Sequence, residues 1–318
     1  MSTPSIRTRR VVALCGGVGG AKLALGLYHQ LGPDLTIVVN TGDDFEHLGL
    51  HVSPDIDTVI YTLGNLADPE RGWGRADESW NFMASLLALG GEAWFRLGDR
   101  DLAMHVARTN ALRNGISLEQ FTGSIAQQIG ITASILPMSS DRVETVVVTE
   151  SGPLAFQRYF VEQQCAPVIK DIQFKNSEHA KPAAGVLEAL RRPDLAAVVL
   201  CPSNPYLSID PILAVTGILA ALEEVKAPIV AVSPLIGGHA IKGPTTKIMT
   251  ELGVPQDTAA IARHYSFLSG LIIDESDRTD ADDSPVRLHV TSTLMRSLED
   301  RKRLAASCLE FAFRLGVN

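Results

Sequence analysis

Cysteine is scarce in this chain of 318 residues: the four present, Cys15, Cys165, Cys201 and Cys308, stand far apart and form no C-x-x-C pair. That spacing excludes a zinc knuckle and a disulfide framework, and predicts buried thiols in a reducing, cytoplasmic setting. Basic residues are outnumbered, 28 Lys and Arg against 36 Asp and Glu, for a formal charge of -8. Polyanions are held by clustered lysine and arginine, so no nucleic-acid polymer is expected as the main partner. Long apolar runs are missing too. Met1–Arg10 carries arginines like a signal n-region, but the apolar run after it stops at Cys15, so neither a secretion signal nor a membrane span is expected. Repeats and low-complexity linkers are absent, and tryptophan is confined to Trp73, Trp80 and Trp94. What remains is a chain with 46% apolar residues, long enough for one large α/β domain spanning 1–318.

The most informative stretch is Val11–Cys15 followed by Gly16-Gly17-Val18-Gly19-Gly20-Ala21-Lys22. An apolar β-branched run bounded by glycine reads as a buried strand, and Leu23, Leu25, Leu27 and Tyr28 suit a helix packed on it. Strand, glycine turn and helix make a phosphate cradle: glycines remove Cβ atoms that would keep an anion off the backbone, and the N–H groups sit at the positive end of a helix. The spacing matches neither common fingerprint. A third dinucleotide-type glycine would fall at Lys22, and no Gly-Lys-Ser/Thr closes a P-loop, so neither NAD nor ATP follows. The plain alternative is a tight turn with close strand–helix packing.

A second strand, Leu35–Asn40, ends in Thr41-Gly42-Asp43-Asp44, and successive βα units predict a Rossmann-like, doubly wound, mostly parallel sheet. Ligand crevices lie at the carboxyl ends of such strands, which places Asn40 to Asp57 beside the glycine loop. Asp43, Asp44, Asp55 and Asp57, with His47 and His51 among them, would repel phosphates there unless a hard cation intervened. Mg²⁺ takes one or two carboxylates plus phosphate oxygens, and Asp43 and Asp57 are the expected ligands. Asp55, after Ser53-Pro54, is equally suited to capping a helix. From Arg71 to about Gly130 the texture changes to a helical insertion, with helices near Trp80–Leu89 and Leu102–Leu112. There Arg100 between Asp99 and Asp101 at a helix start is read as an anion or ring contact, with Asp99 or Asp101 alternatively an N-cap.

Further on, Glu144–Thr149 and Phe156–Val161 predict a hairpin, and Leu195–Cys201 a third buried strand ending in Pro202-Ser203-Asn204-Pro205. The prolines hold Ser203 and Asn204 in a rigid loop suited to a phosphate or ribose. A fourth strand, Pro228–Val232, runs into Ser233-Pro234-Leu235-Ile236-Gly237-Gly238, with Lys242 beyond. Helices over Thr245–Leu252, Thr258–Tyr265 and Arg296–Leu315, a strand at Leu271–Asp274 and an acidic loop at Glu275–Asp283 complete the chain.

Taken as a set and in order from about Val11 to Asp277, these loops, together with Ser53-Pro54-Asp55-Ile56-Asp57-Thr58 and Gly98-Asp99-Arg100-Asp101, resemble the CofD/FbiA family, the 2-phospho-L-lactate transferases of coenzyme F-420 biosynthesis. The resemblance implies a guanylylated diphospho donor, such as lactyl-2-diphospho-5'-guanosine, and the deazaflavin Fo as acceptor, with GMP released and a homodimer as the assembly. Carried over by position, it implies that Gly16, Gly17, Gly19, Gly20, Lys22, Asn40, Ser203, Asn204, Ser233, Gly237 and Gly238 hold the nucleotide portion. Asp55, Asp57, Asp99 and Arg100 would face Fo, and Asp43 and Asp57 would be catalytic through Mg²⁺. The glycine loop follows the bacterial rather than the Gly-Gly-Thr-Gly-Thr archaeal style, and the residues do not decide among phospholactate, phosphoenolpyruvate and 3-phosphoglycerate donors. A gluconeogenesis-factor (YvcK-like) nucleotide-sugar-binding regulator is the alternative from another class, and a metal-dependent nucleotide hydrolase a third.

Overall fold

Along the first apolar run, alternate residues point to opposite sides, and Val11, Val12, Ala13, Leu14 and Cys15 are all at most 2% exposed. A strand buried on both faces belongs in the middle of a parallel sheet covered twice. The computed structural model describes residues 9–69, 73–281 and 284–316; positions 71, 72, 282 and 283 of the expected insertion and acidic loop, and most of Met1–Arg10, lie outside them. Seven strands, β1 (Arg10–Cys15), β2 (Leu35–Val39), β3 (Ser134–Pro137), β4 (Leu195–Leu200), β5 (Ile229–Val232), β6 (Gly270–Ile273) and β7 (Arg287–Val290), form one sheet in the order β7-β6-β5-β4-β1-β2-β3. Every pairing in it is parallel, so the expected Rossmann-like α/β architecture is present.

Helices α1 (Gly17–Leu31), α2 (Pro54–Leu63), α3 (Asn81–Ala88), α4 (Asp99–Arg113), α5 (Leu118–Ile129) and α6 (Leu298–Leu315) are the elements that matter for the site. One face of the sheet packs Leu23 and Leu27 of α1, Ile56 and Ile60 of α2, Phe121 of α5 and Leu304 and Cys308 of α6. The other packs Val186, Ile212, Ile248 and Ile261 of shorter helices, with Val147 of a small antiparallel sheet. The chain builds outward from β1 through β2 to β3, then crosses to β4 on the other flank of β1. This reversal opens a crevice between the ends of β1 and β4, where a doubly wound sheet binds its ligand.

Two local expectations change. The hairpin partner of Glu144–Thr149 is Gly152–Ala155, which pairs directly after a tight turn, with Ile169–Lys175 on the other flank. Phe156 and Phe160, four residues apart, instead stack at 5.3 Å around a wide-pitched helical turn at Arg158–Glu162, a spacing that suits a helix rather than a strand. Strands β3 and β7 escaped the sequence reading because each is four residues long and lies at a sheet edge.

Helices α1 and α6 touch through Gly26, where an added Cβ would run into the backbone carbonyl of Arg301. Gly26→Ala should therefore lower stability by about 1–3 kcal/mol, as overpacking does. Gly123→Ala, on an exposed stretch of α5 with nothing within 4 Å, should raise stability by about 1 kcal/mol. Urea unfolding of the two variants checks both signs.

Candidate active site

The glycine loop and the aspartate-bearing segment meet at one rim. Gly17 donates its N–H to Asp55 Oδ1 at 2.7 Å, and Asn40 Nδ2 donates to Asp55 Oδ2 at 3.0 Å and to Asp43 Oδ1 at 3.2 Å. Ser203, at the end of β4, closes on Gly16 in both directions: its hydroxyl accepts from Gly16 N (3.1 Å) and donates to Gly16 O (2.7 Å). The ends of β1, β2 and β4 and the start of α2 are thereby fastened together. Of the loop glycines, Gly17 has the open position, at φ 65°. A Cβ on Gly19 would sit 2.7 Å from Pro202 O, one on Gly20 2.5 Å from Ser203 Oγ, and one on Gly16 2.7 Å from Asp55 Oδ2. Most of these glycines thus serve the approach of neighbouring chain, and bare backbone reaches the crevice because that approach is so close.

A cleft of about 830 Å³ runs across the carboxyl ends of the strands. Gly16, Gly17, Gly19, Lys22, Asp43, Asp55, Asp57, Ser203, Asn204 and Ser233, all expected site residues, line it. Asn40 and Gly20 stand behind the lining, Asn40 as the bridge between Asp43 and Asp55. Gly237 and Gly238 are set back as well: their N–H groups donate to Asp277 Oδ2 and Oδ1 at 3.1 and 2.8 Å, which stiffens the loop after β5. Asn204 Oδ1 accepts from Tyr206 N and Leu207 N, and its Nδ2 is buried without a protein partner. A buried donor of this kind needs an acceptor, and the cleft can provide one in a ligand.

Asp99 and Arg100, expected beside the acceptor, are not among the residues that line the cleft. Asp99 caps α3, accepting from Ser79 Oγ (2.6 Å), Phe82 N (3.0 Å) and Asn81 N (3.1 Å), and the Ser79 hydroxyl and these amides pull its carboxyl down to about 2. Arg100 is half-exposed, with Nη1 3.4 Å from Ala76 O and 3.9 Å from Asp77. Both lie against the insertion's own loop, whereas Asp101 and His105 of α4 line the cleft and Arg108 is buried on the same helical face. These stand at i, i+4 and i+7, one helical face, and the sequence reading passed over that spacing. Arg108 is 1% exposed and grips both carboxylate oxygens of Asp57, one through Nη1 at 3.1 Å and the other through Nη2. Its Nη1 also lies 3.3 Å from His105 Nδ1. Tyr61 of α2 donates its hydroxyl to Asp101 Oδ1 at 2.6 Å.

Charge is divided along the cleft. Burial raises the Asp43 carboxyl well above its ordinary range, and the neighbouring Asp55 and Asp44 charges add to the effect. Asp55 is pushed up to about 6 by burial, against the opposing bonds from Asn40 and Gly17. Burial raises Asp57 as well, opposed by Arg108. Burial alone would raise Asp101, but the neighbouring His105 ring, the Tyr61 hydroxyl and the Arg108 charge together bring its carboxyl below the ordinary value. On the other flank of β1, burial and the nearby Lys242 and Arg301 charges lower the Lys22 ammonium. Lys22 and Lys242 both line the cleft, so carboxylates gather on the β2, α2 and α4 side and cations where the β5 loop comes over. Aromatic side chains, Trp73, Trp94, Phe95, Phe156 and Phe160, extend the wall beyond the carboxylates. Trp73, 46% exposed, and Trp94 belong to this rim, and the half-buried Trp80 does not line it.

Such a cleft belongs to a doubly wound α/β protein that handles phosphate esters at its switch point. The fold recurs in a member of the UPF0052 family from Bacillus halodurans, with a TM-score of 0.62 and 15% identity over 95% of this chain and 98% of that one. Residues 11–300 match the model of the CofD family, described as 2-phospho-L-lactate transferase, and the chain belongs to that family and is a transferase. The phosphoenolpyruvate transferase of Streptomyces griseus is 40% identical over 315 residues, covering 95% of this chain and 98% of that protein. Proteins of the same description from Streptomyces coelicolor (39%, 91% of each chain) and Mycobacterium bovis (38%, 87% of this chain and 92% of that one) align comparably.

Asp55 carries a pH prediction. With its folded value near 6 and an unfolded value of 3.8, the folded protein holds a proton between those values that the unfolded chain has released. Stability from this group is therefore full below about pH 4 and is lost as pH rises through 6. In chelator-containing buffer, the melting temperature of Asp55→Asn should gain on wild type from pH 4 to pH 6.5 and then level off. A pH-independent difference would contradict it.

Proposed function

We propose that the chain transfers a phospho-hydroxyacid from a guanylylated diphospho donor to a terminal hydroxyl of the deazaflavin Fo, releasing GMP, in the biosynthesis of coenzyme F-420. The observation that carries this reading is the shared rim: the glycine loop and Lys22 line one cleft with Asp43, Asp55 and Asp57, and the Gly17 N–H is bonded directly to Asp55. A diphosphate lying there meets N–H dipoles and ammonium groups at one end, and the attacking alcohol arrives past the aromatic rim at the other. The acid is taken as phosphoenolpyruvate, supported by relatives of that description at 38–40% identity across most of their length. A homodimer and a cytoplasmic location belong to the same reading; no single described helix is long and apolar enough to cross a membrane.

The chemistry follows from positioning and charge. The alcohol oxygen forms a bond to the phosphorus nearer the acid, the bond from that phosphorus to the oxygen shared with GMP breaks, and the electron pair leaves with GMP. The hydroxyl proton passes to a carboxylate. Val18, Gly19 and Lys22 take up the charge that develops on the departing phosphate, and Ser203 and Asn204 fix the nucleotide side.

Mg²⁺ fits the carboxylate side. The charges acting on Asp43 are Asp55, Asp44 and Asp57, all negative, and a hard cation satisfies such a cluster. Asp43 is the stronger half of the expected pair, since Arg108 already occupies one lone pair on each oxygen of Asp57. The ion would be held by Asp43 together with a free lone pair of Asp57, and when bound it neutralises the diphosphate.

Purified protein given Fo and the guanylylated phosphoenolpyruvate donor should release GMP and form the phospho-acid-bearing deazaflavin, while lactate and glycerate analogues turn over more slowly. EDTA should abolish turnover, Mg²⁺ should restore it, and Asp43→Asn should lower kcat by about 10²-fold or more. Undiminished turnover after full chelation would refute the cation's role.

A further inference from the structure

Among the carboxylates that line the cleft, Asp43, Asp55, Asp57 and Asp101, the last has an oxygen left open to it. Asp55 spends its two oxygens on Gly17 and Asn40, and Asp57 spends both on Arg108. Asp44 also has an oxygen without a partner, Oδ1, but it is buried and does not line this cleft, and Asp43 accepts from Asn40 Nδ2 on Oδ1 at 3.2 Å, has Gln157 Nε2 3.5 Å from Oδ2, and is the anchor assigned to the cation. Asp101 holds Tyr61 on Oδ1 and meets on Oδ2 only His105 Nε2, at 3.6 Å, beyond a normal hydrogen bond. Its side chain is 15% exposed, against 6% for Asp57, and it lines the cleft.

The neighbours fix this arrangement. Arginine only donates, so Arg108 Nη1 makes His105 Nδ1 the acceptor and leaves the proton of the neutral ring on Nε2, facing Asp101. The same guanidinium neutralises Asp57, so Asp101 does not have to stand next to an uncompensated charge there. An ion bridging Asp57, Asp101 and His105 would have to compete with Arg108 Nη1, which lies 3.1 Å from Asp57 Oδ2 and 3.3 Å from His105 Nδ1.

We propose that Asp101 is the base of the transfer, with His105 and Arg108 as its positioning residues: the open Oδ2 accepts the proton of the attacking hydroxyl as that oxygen bonds to phosphorus and the bond to GMP breaks. This rests on the transfer reading above. The insertion then contributes a reacting group as well as a wall, and Asp101 is the residue of the Gly98–Asp101 turn that meets substrate.

The test uses the full chain, with GDP as the probe of the nucleotide side. If wild-type protein shows no transfer to Fo, the reading of the cleft fails and the assignment with it. Given wild-type transfer, Asp101→Asn should lower kcat by about 10²–10⁴-fold, the range of general-base removal, with GDP affinity and the KM for donor unchanged. Transfer at the wild-type rate, or a loss of GDP affinity parallel to the loss of activity, overturns the assignment. Tyr61→Phe removes the donor that orients Asp101 and covers the case in which Asp101→Asn does not fold. It should lower kcat by several fold at unchanged GDP affinity, and an unchanged kcat overturns the proposal. Arg108→Lys keeps the charge without the fork, and should raise the KM for Fo and lower kcat while GDP still binds. If it alters only the melting temperature, Arg108 has no positioning role.

Discussion

The Gly17 amide held by the Asp55 carboxylate at 2.7 Å is the contact on which the rest of the cleft depends. It ties the first turn of α1 to the first turn of α2, and through Asn40 it also reaches Asp43 at the end of β2. Ser203 completes the closure from β4. Without a parallel sheet whose strand order switches flank at β1, these ends would not come together. Without glycine at positions 16, 19 and 20, a side chain would stand where neighbouring atoms now pass.

That contact also brings opposite tendencies within bonding distance. A helix N-terminus favours an anion, and in this fold a buried carboxylate supplies one. More carboxylates follow than the helix end can serve, and burial raises Asp43, Asp55 and Asp57 together. Arg108, driven in from the insertion, neutralises Asp57, and the surplus that remains at Asp43 is what the proposed cation would offset. Lys22 and Lys242 line the same cleft as these carboxylates, and the proposed diphosphate would lie between the two sets. The proposed reaction needs this asymmetry, because negative charge builds on the departing nucleotide while a proton must leave the alcohol.

Much of this was legible from residues alone. The strands beginning at Val11, Leu35, Leu195 and Ile229 announce themselves as apolar runs buried on both faces, and the loops after them fall at one rim because parallel strands share a direction. The short edge strands were not legible, nor was the turn at Arg158–Glu162, where hairpin-like alternation masked a four-residue aromatic spacing. Within the site, what the residues alone left open was helix phase. A charged turn, Asp99-Arg100-Asp101, says that a helix begins but not which of the three faces the cleft. Asp99 is drawn away to cap α3, a partner distant in sequence, and the Asp101, His105 and Arg108 face was the available signal. Arg108 was harder to foresee, because a buried arginine is rational only once Asp57 is known to lie opposite it.

The central claim is that a cation held at Asp43 and an anion held at the glycine loop occupy one cleft and bind each other as well as the protein. Calorimetric titration of GDP with and without Mg²⁺ measures that coupling directly. The account predicts that Mg²⁺ tightens GDP binding by about tenfold or more, a coupling of 1.4 kcal/mol, and that Asp43→Asn abolishes the difference while GDP alone still binds. Equal affinity in the presence and absence of Mg²⁺ would contradict it.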